Sequence, residues 1–183
     1  MPLSDDEKKE LLRVARETLT VYLTQGKMPH TEMTLESLKQ PRDAFVTLRK
    51  KNHELRGCIG SVRSPKPLYE HVAELAVSSA TRDPRFHPVK PEELVDIVIE
   101  ISVLSPLQRV SDVSEITAGV HGVLIEHLSK TGVFLPEVAA EQGWDVEELL
   151  TQLCAHKAGL PKDAWKKGAA LYRFTTESIH EER

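Results

Sequence analysis

Ala44-Phe45-Val46-Thr47-Leu48 and Leu55-Arg56-Gly57-Cys58-Ile59-Gly60 read as two β-strands joined by the polar stretch Lys50-Lys51-Asn52-His53. So short a connection returns the second strand antiparallel to the first, as a hairpin. Glycine inside a strand loses more chain entropy than other residues and offers nothing to pack, so Gly57 and Gly60 signal a bulge or a close approach to the backbone. Strand alternation puts Arg56 and Cys58 on one face, with Leu55 and Ile59 on the other. A thiol whose neighbour is a guanidinium is more acidic and more reactive when the two side chains converge.

The elements on either side give the hairpin its context. Ser4 with Glu7 forms a capping-box pattern, and Leu11, Leu12, Ala15, Leu19, Tyr22 and Leu23 follow at helical spacing towards Gly26. Residues 28–42 carry two prolines and no sustained period, which predicts a long connection with a short helical turn. Pro65 and Pro67 precede a second helix with Leu68, Val72, Leu75, Ala76 and Ser79 on one side. That helix is expected to end near Thr81-Arg82-Asp83-Pro84, because the residue before proline is steered out of helical geometry. Residues 95–104 form the clearest strand, with Ile97, Ile99, Ile101 and Val103 on one face and Glu100 on the other.

Residues 120–128 and 133–135 predict a second hairpin turning at Ser129-Lys130-Thr131-Gly132. Pro136 opens a short helix up to Gly143, and Asp145 with Glu148 starts another, closed by Gly159 and Pro161. Residues 170–176 read as a last strand, and residues 180–183 as a charged tail. Helices are interspersed among hairpins, without regular β-α-β alternation. This predicts an α+β fold with a largely antiparallel or mixed sheet and flanking helices.

With 183 residues the chain suits one domain, or a main lobe with a smaller one. A formal charge of −4 argues against a protein that binds nucleic acid by neutralising phosphates. Cys58 and Cys154 form no disulfide framework, residues 1–7 lack the features of a signal peptide, and no apolar run is long enough to span a bilayer. A reduced, cytoplasmic protein without membrane association is expected. No Gly-x-Gly-x-x-Gly follows a strand and no P-loop is present, so no cofactor is expected.

The order of motifs resembles the AMMECR-type domain, the family also labelled AmmeMemoRadiSam system protein A. The resemblance rests first on Leu55-Arg56-Gly57-Cys58-Ile59-Gly60, on Asp83-Pro84-Arg85-Phe86 and on Ile101-Ser102-Val103-Leu104-Ser105-Pro106. It continues through Gly119-Val120-His121-Gly122-Val123, Gly132-Val133-Phe134-Leu135-Pro136 with Gly143-Trp144-Asp145, and Ala158-Gly159-Leu160-Pro161 with Ala164-Trp165. Thr81-Arg82 departs from the commoner family pattern, which has an aromatic and an acidic residue there. The resemblance implies a single α+β domain over residues 1–183. A main lobe would come from both chain ends and a smaller lobe from the middle, with the six-residue motif near a cleft between them. It implies no defined reaction. The family's label implies Memo-like and radical-SAM proteins as partners.

Three readings of the motif stand. In the first, Cys58 is a nucleophile, Arg56 supplies positive charge, His121 acts as base, and Asp83 or Glu100 orients the imidazole. Arg85 would then clamp an anionic substrate. In the second, Arg56, Gly57, Gly60, Asp83, Arg85 and Glu100 line a site for a small anionic ligand or a partner protein, without covalent chemistry. In the third, all of this is architecture: Gly57 and Gly60 permit a bulge, Cys58 fills a tight strand position, Arg56 pairs with a carboxylate, and His121 is a satisfied histidine at a turn. Neither Cys-x-x-Cys nor His-Glu-x-x-His occurs, and His121 and His127 stand too far apart along a strand to share an ion, so no metal is expected.

Overall fold

Ser4 and Glu7 each satisfy the other's backbone amide, at 3.3 and 2.6 Å, and so open α1 (Asp5–Gln25). Gly26 ends it in the left-handed conformation, φ 70°, donating its N–H to Tyr22. The computed structural model describes residues 2–182. The long connection that follows α1 contains a single short helical turn, Glu36–Lys39. β1 (Ala44–Lys50) and β2 (Leu55–Ser61) then form the expected antiparallel hairpin, with a register irregularity between Leu48 and Arg49. α2 (Leu68–Thr81) follows, then a short helical turn over Pro91–Asp96 and β3 (Ile97–Leu104).

β4 (Gln108–Arg109) is a two-residue strand that no sequence pattern announces. β5 (Gly122–His127) and β6 (Lys130–Phe134) make the second hairpin, followed by α3 (Pro136–Gln142) and α4 (Val146–Gln152). The helix continues beyond Gln152 as a π-helical segment, Leu153–Ala158, that ends at Gly159 with φ 60°. β7 (Ala170–Phe174) and β8 (Thr176–His180) complete the chain.

The strands form two four-stranded sheets, ordered β2-β1-β3-β8 and β4-β7-β5-β6. Pairings β1·β2, β1·β3, β4·β7, β5·β6 and β5·β7 are all antiparallel. The fold is α+β. The chain divides into two compact units. The first comprises the chain up to Val103 together with the segment from Glu177 onward, and the second is Leu104–Thr176.

In the first unit α1 and α2 cover one face of the sheet. Leu11 and Leu19 of α1, Val72 and Ala76 of α2, Val46 and Leu48 of β1, and Ile99 and Ile101 of β3 are fully buried in one core. Each such aliphatic side chain contributes about 1.5–3 kcal/mol of apolar burial. The second unit has its own core around Val123, Ile125, Leu149, Leu150, Leu153 and Cys154.

Two local expectations are corrected. The second hairpin turns at Leu128 and Ser129, since His127 pairs with Lys130. Gly132 is not a turn residue. A Cβ there would lie 2.7 Å from the Ala158 backbone nitrogen, so this glycine lets the π-helical segment pack against β6. The last strand is two strands in different sheets, and the expected charged tail begins inside β8. Of the tail, Glu181 accepts Arg16 Nε at 2.8 Å and the Ile99 N–H at 2.9 Å, and Arg183 lies outside the described residues; Glu177 of β8 accepts the Leu3 N–H at 3.0 Å and pairs with Lys8.

Candidate functional site

The two motif glycines have separate structural duties. A Cβ on Gly57 would stand 2.0 Å from the Ser79 carbonyl oxygen, so only glycine lets α2 lie this close to β2. Ser79 closes the contact by donating its hydroxyl to the Val46 carbonyl at 2.7 Å and accepting the Ile59 N–H at 3.0 Å. A Cβ on Gly60 would meet the ring of its cross-strand partner Phe45 at 2.1 Å, on the opposite face. The glycine is thus roofed by an aromatic ring, an arrangement known to stabilise strand glycines.

Cys58 lies on the sheet face away from the helices, as alternation predicts. Thr47 is its direct partner on β1, and Glu100 is Thr47's partner on β3, so the three form one row across the sheet. Thr47 donates its hydroxyl to Cys58 Sγ at 3.1 Å. Cys58 is half-buried, whereas Cys154 is completely buried, and neither is in a disulfide. Burial pushes the Cys154 thiol above its usual range, which disfavours its thiolate. Glu100 is half-buried and accepts Arg49 Nε at 2.8 Å.

Asp83 and Arg85, in the loop after α2, join this row. Asp83 is 4 % exposed and accepts the Cys58 N–H at 2.9 Å. Its two oxygens also receive the guanidinium fork of Arg85, Nε at 3.0 Å and Nη2 at 2.7 Å, together with the Arg85 N–H at 3.1 Å. These donors, the Arg85 fork above all, hold the Asp83 carboxyl at about 2 in spite of its burial. Arg85 Nη2 also reaches the Cys58 carbonyl at 3.4 Å, and negative charge on Cys58 contributes to raising the Arg85 pKa. Arg85 is therefore a cation coupled to the thiol.

Arg56, the expected source of that charge, is committed elsewhere. Its guanidinium makes a two-pronged bond to Glu93, at 2.7 and 2.9 Å, and donates to the His87 carbonyl at 3.0 Å. The Arg56 bonds hold Glu93 at about 2. Arg56 thereby ties the start of β2 to the loop preceding β3.

His121 belongs to the second unit, just before β5. Its Nδ1 accepts the Thr117 N–H at 2.9 Å, which leaves the hydrogen of the neutral ring on Nε2. Desolvation, reinforced by Arg173, lowers its pKa and keeps the ring neutral. Asp83 and Glu100, the expected orienters of that imidazole, belong to the first unit, where they hold Arg85 and Arg49. Among the described residues no group of three or more His, Cys, Asp or Glu is placed to hold a metal ion, and no helix is long and apolar enough to cross a membrane.

The roles of Thr47, Ser79 and Glu93 at the site escaped the sequence reading. Thr47 follows from the hairpin register, which the irregularity at Leu48 and Arg49 obscures. Ser79 and Glu93 lie 20 and 37 positions from their partners in β2, and no local pattern marks them.

The sequence model of the AMMECR1 family matches residues 12–179. The chain belongs to the AMMECR1 family. A protein of Methanothermobacter thermautotrophicus is 43% identical over 189 residues, which cover 99% of this chain and 97% of that one. Protein MJ0810 of Methanocaldococcus jannaschii is 42% identical, covering 98% and 92%. The crystal structure of the uncharacterized protein PH0010 from Pyrococcus horikoshii is 38% identical and superposes with a TM-score of 0.91, covering 98% and 94%. The AMMECR1 fold described above is thus shared with an experimentally determined structure.

Proposed function

We propose that this AMMECR1 chain binds a small anionic ligand at the outer edge of the Arg85 guanidinium, beside the Cys58 thiol, and that Cys58 reacts with electrophilic ligands held there. The observation that carries this reading is the way Arg85 is spent. Nε and Nη2 are engaged by Asp83 and the Cys58 carbonyl, no described residue bonds Nη1, and the Arg85 side chain is 52% exposed. A guanidinium fixed on one edge by a buried carboxylate is already ordered, so a ligand oxygen taking its outer N–H groups meets a smaller entropy cost. Asp83 offsets part of the Arg85 charge, which favours a small, strongly hydrogen-bonding oxyanion over a diffuse polyanion. The Thr47 hydroxyl and the Arg85 charge both favour the thiolate form of Cys58, the reactive one.

The test is alkylation of the folded protein by iodoacetate and by neutral iodoacetamide, with glutathione as the reference thiol. Cys58 is expected to react much faster than Cys154 and to favour iodoacetate more than glutathione does. Arg85→Gln, checked for native circular dichroism, removes that preference and Arg85→Lys partly restores it. Cys58 labelling as slow as that of Cys154 overturns the thiol reading. A reagent preference unchanged in Arg85→Gln overturns the anion site.

A further inference from the structure

On the other face of β2, three residues beyond Cys58, the strand ends at Ser61. Ser61 is exposed, and its hydroxyl lies 2.7 Å from Nε2 of His71 in α2. His71 is 4% exposed, and its Nδ1 lies 3.1 Å from the Arg42 carbonyl oxygen. A carbonyl oxygen can only accept, so Nδ1 carries the hydrogen and Nε2 of the neutral ring is left to accept from Ser61. The imidazole is buried, fixed in tautomer by a backbone acceptor, and aimed at a hydroxyl at the surface.

We propose that Ser61 and His71 form a base-assisted serine nucleophile that accepts acyl groups from activated acyl donors. A nucleophile, a base within hydrogen-bond reach and a third group that orients the base are the parts such a site needs. The Arg42 carbonyl takes the orienting role that a carboxylate fills in many hydrolases. In the acylation step a bond forms between Ser61 Oγ and the acyl carbon while the hydroxyl proton passes to His71 Nε2. The adduct collapses with loss of the leaving group, which takes the proton back from Nε2. Water repeats the sequence on the acyl-serine, releasing a carboxylic acid and restoring both side chains. The pair supplies attack and proton transfer, so expulsion rests on the donor. The class taken is one with a stable leaving group, a thioester or an aryl ester.

The site is independent of the one proposed around Cys58 and Arg85, because Ser61 faces α2, which carries His71, while Cys58 faces away from it. Alkylation at Cys58 therefore neither tests nor disturbs this proposal.

The experiment treats the folded full-length chain with a fluorophosphonate and with p-nitrophenyl acetate, and maps the modified residue by mass spectrometry. Ser61 is expected to be modified well above the exposed serines Ser111 and Ser129. His71→Gln keeps an acceptor for Ser61 but cannot take the proton, and is expected to slow modification by about 10²-fold, the usual contribution of a general base. Ser61→Ala removes the label and leaves iodoacetamide labelling of Cys58 unchanged. Equal modification in wild type and folded His71→Gln overturns the proposal. Should that variant not fold, the wild-type ratio decides: Ser61 modified no faster than Ser129 overturns it as well.

Discussion

The backbone N–H of Cys58 donates to Asp83 Oδ2 at 2.9 Å, joining two residues 25 positions apart and fixing the candidate site to the loop after α2. The same carboxylate receives the Arg85 fork, so one buried side chain sets both the strand backbone and the guanidinium. Removing it affects the first unit and the site together. Asp83→Ala leaves the Cys58 N–H without its acceptor and is expected to cost about 2–3 kcal/mol, read from urea unfolding. A cost below the usual scatter for a surface substitution contradicts the role assigned to Asp83.

Acid titration tests the same carboxylate. The Asp83 pKa falls from 3.8 to about 2 in the folded chain, chiefly through the Arg85 fork. Around these values the unfolded chain binds more protons than the folded one, so stability rises with pH. The contribution is complete above about 3.8 and is lost as pH falls through about 2. Glu93, held at about 2 by Arg56, acts in the same direction. Asp83→Asn is expected to flatten the acid limb of stability against pH, with the residual slope carried by Glu93 and other carboxylates. An unchanged limb counts against the paired state of Asp83.

The motif glycines separate by what they face. Gly57→Ala drives a methyl group into the Ser79 carbonyl, which cannot move without shifting α2, and is expected to destabilise by about 3 kcal/mol. Gly60→Ala meets a half-buried phenyl ring that can rotate away, so its cost is expected to be smaller. Comparison of urea midpoints checks the order. The reverse order contradicts the tight docking of α2 on β2.

Gly132 offers the corresponding test in the second unit. Its Cβ would strike backbone atoms of Lys157 and Ala158 at 2.7–2.9 Å. Gly132→Ala is expected to lower stability by about 2–3 kcal/mol. Hydrogen exchange should locate the loosening in β6 and the π-helical segment. Protection lost only at the tip of the hairpin contradicts the packing role.

Glu181 ties the chain end to α1 and to β3. Glu181→Ala leaves Arg16 and the Ile99 N–H without this carboxylate, and is expected to cost about 1–3 kcal/mol. A double-mutant cycle with Arg16→Ala should return a coupling of at least about 1 kcal/mol, because the pair is largely shielded from solvent. Additive single effects point instead to a surface pair of little consequence.

Sequence alone determined what neighbours in the chain decide. Ser4, Glu7 and Gly26 bound α1 by local capping, Asp145 caps α4 by accepting the Glu148 N–H, and alternation assigned the faces of β2 and β3. These features rest on contacts within a turn of helix or across a tight hairpin. Tertiary structure decided the rest. It sent Thr176–His180 to the first sheet because Ile179 finds the core there and Glu177 and Glu181 find cations on α1. It bound Arg56 to Glu93, and it set Asp83 against the Cys58 N–H, which carried the neighbouring Arg85 to the Cys58 carbonyl. It also set Ser61 against His71. Such pairings join segments ten or more positions apart, and no local periodicity records them.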